Sequence, residues 1–106
     1  MKIFISQPMR NKTDEEIQAE RAKAIDECRA YAARIGEKVY IIDSIIEDAR
    51  DSARPLWYLG ESLRLLSGAD AAYFVRGWSK NRGCRIEHIA CSEYGIRIIN
   101  DLIGGR

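Results

Sequence analysis

Lys2-Ile3-Phe4-Ile5-Ser6-Gln7-Pro8-Met9-Arg10-Asn11-Lys12-Thr13-Asp14-Glu15-Glu16 is the stretch on which the fold turns. Lys2 to Ser6 is a short run rich in β-formers, and it stops at Gln7-Pro8 because proline has no amide to donate to a sheet. Thr13 and Glu16 then form a capping-box pattern, in which the threonine hydroxyl accepts from the backbone of the glutamate and the glutamate carboxylate reaches back. A strand handed directly to a capped helix is the first half of a βαβ unit.

Downstream the alternation continues. Ile17, Ala24, Cys28, Tyr31 and Ile35 recur at helical spacing, and Gly36 closes the helix. Lys38 to Asp43 is β-branched and nearly all apolar, as expected of a second strand covered on both faces. Ser44 to Arg54 reads as a loop in which Ile45, Ile46 and Ala49 allow a short helical turn. Pro55 suits the first turn of a second helix, whose stripe is Leu56, Leu59, Leu63 and Leu66. Ser67-Gly68 ends it before a third strand within Ala69 to Val75. Cys84 to Tyr94 reads as a third helix with Ile86, Ala90 and Tyr94 at i, i+4 and i+8, closed by Gly95, and Ile96 to Ile99 is a fourth strand. The expected fold is α/β: a doubly wound three-layer sandwich on a short four-stranded parallel sheet, of flavodoxin-like or Rossmann-like topology.

The chain has 106 residues, enough for one hydrophobic core, so residues 1–106 are read as one domain. Apolar residues make up 46% and charged residues 31%, a globular mixture without a disorder signature. The formal charge of +1 gives no bulk attraction to duplex nucleic acid or to an anionic membrane, although a local basic cluster is enough for a small anion. Neither a secretory leader nor a membrane span is read from the sequence, and the expected compartment is the cytoplasm. Cys28, Cys84 and Cys91 are odd in number and form no C-x-x-C pair, which fits reduced, packed thiols. With His88 as the one histidine, no structural zinc site is expected.

In such sheets ligands sit beyond the carboxyl ends of the strands, where loops diverge and helix N-termini point their amides outward. The loops concerned are 6–12, 43 onward and 76–87. They nominate Ser6, Gln7, Arg10, Asp43, Ser44, Arg76, Trp78, Arg82 and Glu87 as one ligand shell.

Four strings then carry a family resemblance: Phe4-Ile5-Ser6-Gln7-Pro8-Met9-Arg10, Trp57-Tyr58-Leu59-Gly60, Ala69-Asp70, and Arg82-Gly83-Cys84-Arg85-Ile86-Glu87-His88. Together they resemble the nucleoside 2-deoxyribosyltransferase-like superfamily, in its small bacterial and phage branch, across nearly the whole chain. The resemblance implies that Glu87, four residues after Gly83, attacks the anomeric carbon of a deoxyribosyl group and displaces the base. A carboxylate suits that task because it stabilises oxocarbenium charge and then forms the covalent bond. It further implies no cofactor, a nucleoside or nucleotide as small-molecule partner, and a homo-oligomer. In related monophosphate hydrolases the loop corresponding to Ser6, Gln7 and Arg10 holds a 5′-phosphate with a Gly-Ser turn, whose glycine this chain lacks. Active members pair the nucleophile with an aspartate where this chain has Ser62, next to Glu61; a serine can orient a sugar hydroxyl but is no acid near neutral pH.

Two readings of Glu87 therefore stand: a nucleophile for N-glycosidic cleavage or deoxyribosyl transfer, or part of a non-catalytic nucleotide-binding protein with a regulatory or phage–host defence role. An ordinary first-turn helix glutamate is the bland alternative to both. Trp78, in a loop, is the candidate for stacking on a base, while Trp57 and Tyr58 are read as packing in the core or at a subunit contact. His88 is read as a helix-surface or interface residue, and Asp70, at the amino end of its strand, as a capping or loop hydrogen-bonding residue.

Overall fold

The computed structural model describes residues 1–45 and 54–102. Four parallel strands, β1 (Lys2–Ser6), β2 (Tyr40–Ile41), β3 (Ala71–Phe74) and β4 (Arg97–Ile98), lie in the order β2-β1-β3-β4. They are linked by α1 (Asp14–Arg34), α2 (Pro55–Leu66) and α3 (Arg82–Tyr94), with a short terminal helix α4 (Ile99–Leu102). This is the α/β, four-stranded parallel sandwich expected from the sequence. The turn reading at Ile46 and Ala49 lies outside the described residues.

Strand alternation divides the core. Ile3 and Ile5 of β1 and Ala71 and Tyr73 of β3 pack with Ala24, Cys28 and Tyr31 of α1. Phe4, Ala72 and Phe74 face the other way, onto Leu66 of α2 and Cys91 of α3. Because side chains alternate with period two, Ser6 shares the face of Phe4 and looks toward α2 and α3. The capping box forms as read, with Glu16 N donating to Thr13 Oγ1 (3.1 Å) and Thr13 N donating to the Glu16 carboxylate (2.8 Å). Gly36 and Gly95 both take left-handed backbone angles just after their helices (φ 70° and 74°), which a side chain would resist.

The outer strands are shorter than the sequence suggests. Instead of Lys38–Asp43, β2 pairs only over Tyr40–Ile41, and beyond it side chains take over the ladder. The Ser44 hydroxyl donates to Ile5 O (3.0 Å), and the buried Arg21 guanidinium donates to Ile42 O (3.2 Å) and Ser44 Oγ (3.3 Å). At the opposite edge β4 covers Arg97–Ile98, and Asn100 completes β3. Its Oδ1 accepts from Phe74 N (3.1 Å) and its Nδ2 donates to Phe74 O (2.6 Å).

Two helices also present a different face from the one read. In α3 the stripe Ile86, Ala90 and Tyr94 is not the buried one: Tyr94 is 85% exposed and Ile86 is exposed, whereas Cys84, Glu87 and Cys91 are buried. One residue of offset is a rotation of about 100°. In α2, Leu66 is buried but Leu56 is 75% exposed, so burial fades toward the start of the helix, where the chain leaves an opening. Among the described residues no helix is long and apolar enough to cross a membrane.

Candidate functional site

The opening between the first turns of α2 and α3 is a cleft of about 740 Å³, lined by Gln7, Tyr58, Ser62, Arg82, Gly83 and Glu87 together with Arg54, Pro55, Leu56, Leu59, Asn81, Cys84 and Ile86. It lies beyond the carboxyl end of β1, as the parallel architecture requires. Asn81 caps α3 by accepting from Cys84 N (2.9 Å), which sets the start of the helix and brings Glu87, one turn from each of the buried Cys84 and Cys91, down onto the sheet.

Glu87 is only 6% exposed. Its Oε1 accepts from the Ser6 hydroxyl at 2.5 Å, and the Ser62 hydroxyl of α2 faces the carboxylate and favours its charged form. Burial pushes the Glu87 carboxyl above its ordinary range, and the two serine hydroxyls oppose that rise by stabilising the anion. One side chain from β1, one from α2 and one from α3 thus meet at a single carboxylate on the wall of the cleft. The Ser6 bond orients the buried carboxylate, and Ser62 bears on the same group from α2.

Gln7 is oriented by donating through Nε2 to Ile17 O (2.7 Å). Glu61, the neighbour of Ser62, is turned to Arg64 in an i,i+3 ion pair (3.1 Å) and does not line the cleft. Glu87 is the one carboxylate in the cleft lining among the described residues.

Arg10 lines a second, adjoining groove of about 860 Å³, which shares Pro55, Asn81, Arg82 and Gly83 with the cleft. The other nominated residues lie elsewhere. Asp43 is exposed past β2. Ser44 is buried in the ladder bonds already described, and Arg76 borders a small hollow against α1 with Glu20 and Glu27. Trp78 lines neither cavity: its ring stacks on His88 (centroids 4.1 Å apart, planes at 7°) and packs edge-on to Phe74 (5.5 Å). His88 likewise packs edge-on to Phe74 (4.9 Å), so it is a half-buried packing residue and not a surface one. Asp70 accepts from Lys2 N (2.7 Å), tying β1 to the turn before β3, far from the cleft.

All three cysteines are free and buried, and burial pushes Cys28 up to about 12 and Cys84 and Cys91 up to about 11, which keeps them as thiols near neutral pH. No group of three or more His, Cys, Asp or Glu side chains assembles as a metal site among the described residues. Tyr58, read as a packing residue, and Leu59, read as part of the apolar stripe of the second helix, line the cleft, as do Asn81 and Arg54, which periodicity did not single out. No family model, no curated protein and no solved structure matches the chain.

Proposed function

We propose that the cleft binds a nucleoside or nucleotide and that Glu87 cleaves its N-glycosidic bond as a nucleophile. The observation that carries this reading is the Glu87 carboxylate on the cleft wall, held by Ser6 and faced by Ser62. The Ser6 donor orients the carboxylate and leaves it lone pairs with which to attack, and the partly apolar walls formed by Tyr58, Leu56 and Leu59 suit the face of a base. In the first step a carboxylate oxygen bonds the anomeric carbon while the carbon–nitrogen bond breaks, its electron pair leaving with the base. In the second, a water oxygen or another base bonds that carbon and the carboxylate departs with the ester electrons. When water is the acceptor, the proton it sheds balances the one the departing base takes up from solvent.

A second reading, binding without turnover, is favoured by one feature: the position next to Glu61 is Ser62, and Glu61 itself is engaged by Arg64. With no second carboxylate in the described lining, the leaving base draws its proton from water, so bases that leave readily are the best substrates. Incubation of wild type and Glu87→Ala with a panel of deoxynucleosides and their 5′-monophosphates separates the readings. Release of free base that disappears in the variant supports cleavage. Saturable binding to wild type with no base release establishes the second reading, and neither binding nor release overturns both.

A further inference from the structure

We infer that the basic groove adjoining the Glu87 cleft takes a chain of two or three phosphates, so that the ligand is a nucleoside di- or triphosphate. This rests on the nucleotide reading of the cleft and specifies it. The groove gathers Arg10 from the β1–α1 loop with Lys80, Arg82 and Arg85 from the turn before α3 and its first turn, and no carboxylate lines it among the described residues. Such a concentration is not inherited from a basic chain, since the whole sequence carries 17 Lys and Arg against 16 Asp and Glu.

Nothing described neutralises it. The ion pairs among the described residues are Lys12–Glu20 and Arg64–Glu61, and neither touches the groove. Arg85 is instead steered by donating to Ser79 O (3.3 Å), which sets its guanidinium without cancelling its charge.

The placement also works against the folded chain. The amino end of a helix is electropositive and ordinarily carries Asp or Glu, as the first turn of α1 does with Asp14, Glu15 and Glu16. The first turn of α3 has no acid and carries Arg82 and Arg85. Cations crowded on a positive helix end repel one another and the dipole, a cost that a bound anion removes.

The size of the charge indicates how many phosphates. One phosphate monoester carries about −1.5 to −2, roughly half of what four cations balance, and linked phosphates extend along a groove as a single one does not. The groove meets the cleft at Asn81, Arg82 and Gly83, which border both, so a base and sugar beside Glu87 and a phosphate chain over Arg82 fit one continuous ligand.

The test measures binding by calorimetry to Glu87→Gln, which keeps the groove and prevents turnover, using a deoxynucleoside, its mono- and triphosphate, and inorganic tripolyphosphate. The expected result is a gain of at least about tenfold from monophosphate to triphosphate, the worth of one further charge-assisted hydrogen bond. Tripolyphosphate alone should compete, and adding Lys80→Gln with Arg85→Gln should abolish the gain while leaving deoxynucleoside affinity unchanged. Both side chains are exposed, so a circular dichroism melt matching the parent keeps the comparison valid. Equal affinity for mono- and triphosphate overturns this inference and leaves base cleavage standing. Triphosphate preference with no base release from any substrate by wild type removes the cleavage reading alone. Tighter binding of a 5′-hydroxyl oligonucleotide than of the triphosphate also overturns the inference, in favour of single-stranded nucleic acid.

Discussion

The hydroxyl of Ser6, the last residue of β1, donates to the carboxylate of Glu87 in α3 over 2.5 Å, across 81 positions of sequence. The bond is buried, and it opposes the rise in Glu87 pKa that burial imposes. Both partners contribute to one property, the proton affinity of the carboxylate, and this gives the first expectation.

Ser6→Ala removes a donor to the anion, so the Glu87 pKa moves further up. A carbon-detected NMR titration of the Glu87 carboxyl reads that shift directly, and the acid limb of any kcat/KM profile moves to higher pH with it. Loss of a buried hydrogen bond to a charged group also costs about 1.5–3 kcal/mol of stability in urea. An unmoved titration curve would show that Ser6 does not bear on the carboxylate.

Glu87→Gln should abolish base release and yet make the protein more stable at neutral and alkaline pH. The folded state raises the Glu87 pKa, so it holds that proton more tightly than the unfolded chain does. The stability Glu87 contributes is therefore full below its unfolded pKa and is lost as pH rises through its folded pKa. Glutamine has nothing to lose over that window. Urea denaturation of wild type and variant should converge at about pH 4, near the ordinary glutamate pKa, and separate in the variant's favour by about pH 8. A wild type that is the more stable at the alkaline end sinks the argument.

Trp78→Ala tests whether the indole serves packing or ligand. Its stack on His88 and edge contact with Phe74 predict a loss of about 2–3 kcal/mol, below the full cost of emptying a core site because the ring is half-buried. Ligand affinity at a temperature where the variant is folded should be unchanged. Weakened binding with stability intact would return Trp78 to the role of a base-stacking platform.

Asn100→Leu removes the side-chain partner of both backbone groups of Phe74, which the asparagine amide pairs through its two polar atoms. Leaving a buried N–H and C=O unpaired predicts a loss of about 2–4 kcal/mol by denaturant titration. Asn100→Asp keeps the acceptor but turns an oxygen toward the Phe74 carbonyl, so it too should destabilise. A neutral Asn100→Leu would mean that water replaces the side chain without penalty.

The parallel sheet was legible because Lys2–Ser6, the Thr13–Glu16 box and the helix-closing glycines are local signals that agree with one another. The meeting of Ser6, Gln7 and Glu87 was within reach for the same reason, since strand ends and helix starts converge in this architecture, whereas Ser62 and Gly83 were named only through the family resemblance. The face of α3 was not. Periodicity counts Ile86 and Tyr94 as core and a glutamate as solvent-facing, whereas the buried stripe is two cysteines and Glu87 itself. Trp78 against His88 is a contact between a turn and a helix, set by tertiary packing that no spacing encodes. Ser44 was nominated for the cleft and serves the sheet instead, because a loop hydroxyl fills a ladder position that the strand abandons. The basic groove was only half visible, since Arg10 and the Lys80–Arg85 segment lie far apart in the chain.

The tapering of the sheet has a consequence for association. Its rims, Tyr40–Ile41 and Arg97–Ile98, are two residues long, and side chains already occupy the hydrogen-bonding groups just beyond them. A rim that brief offers little template for an incoming strand, which disfavours edge-to-edge growth into a continuous ribbon.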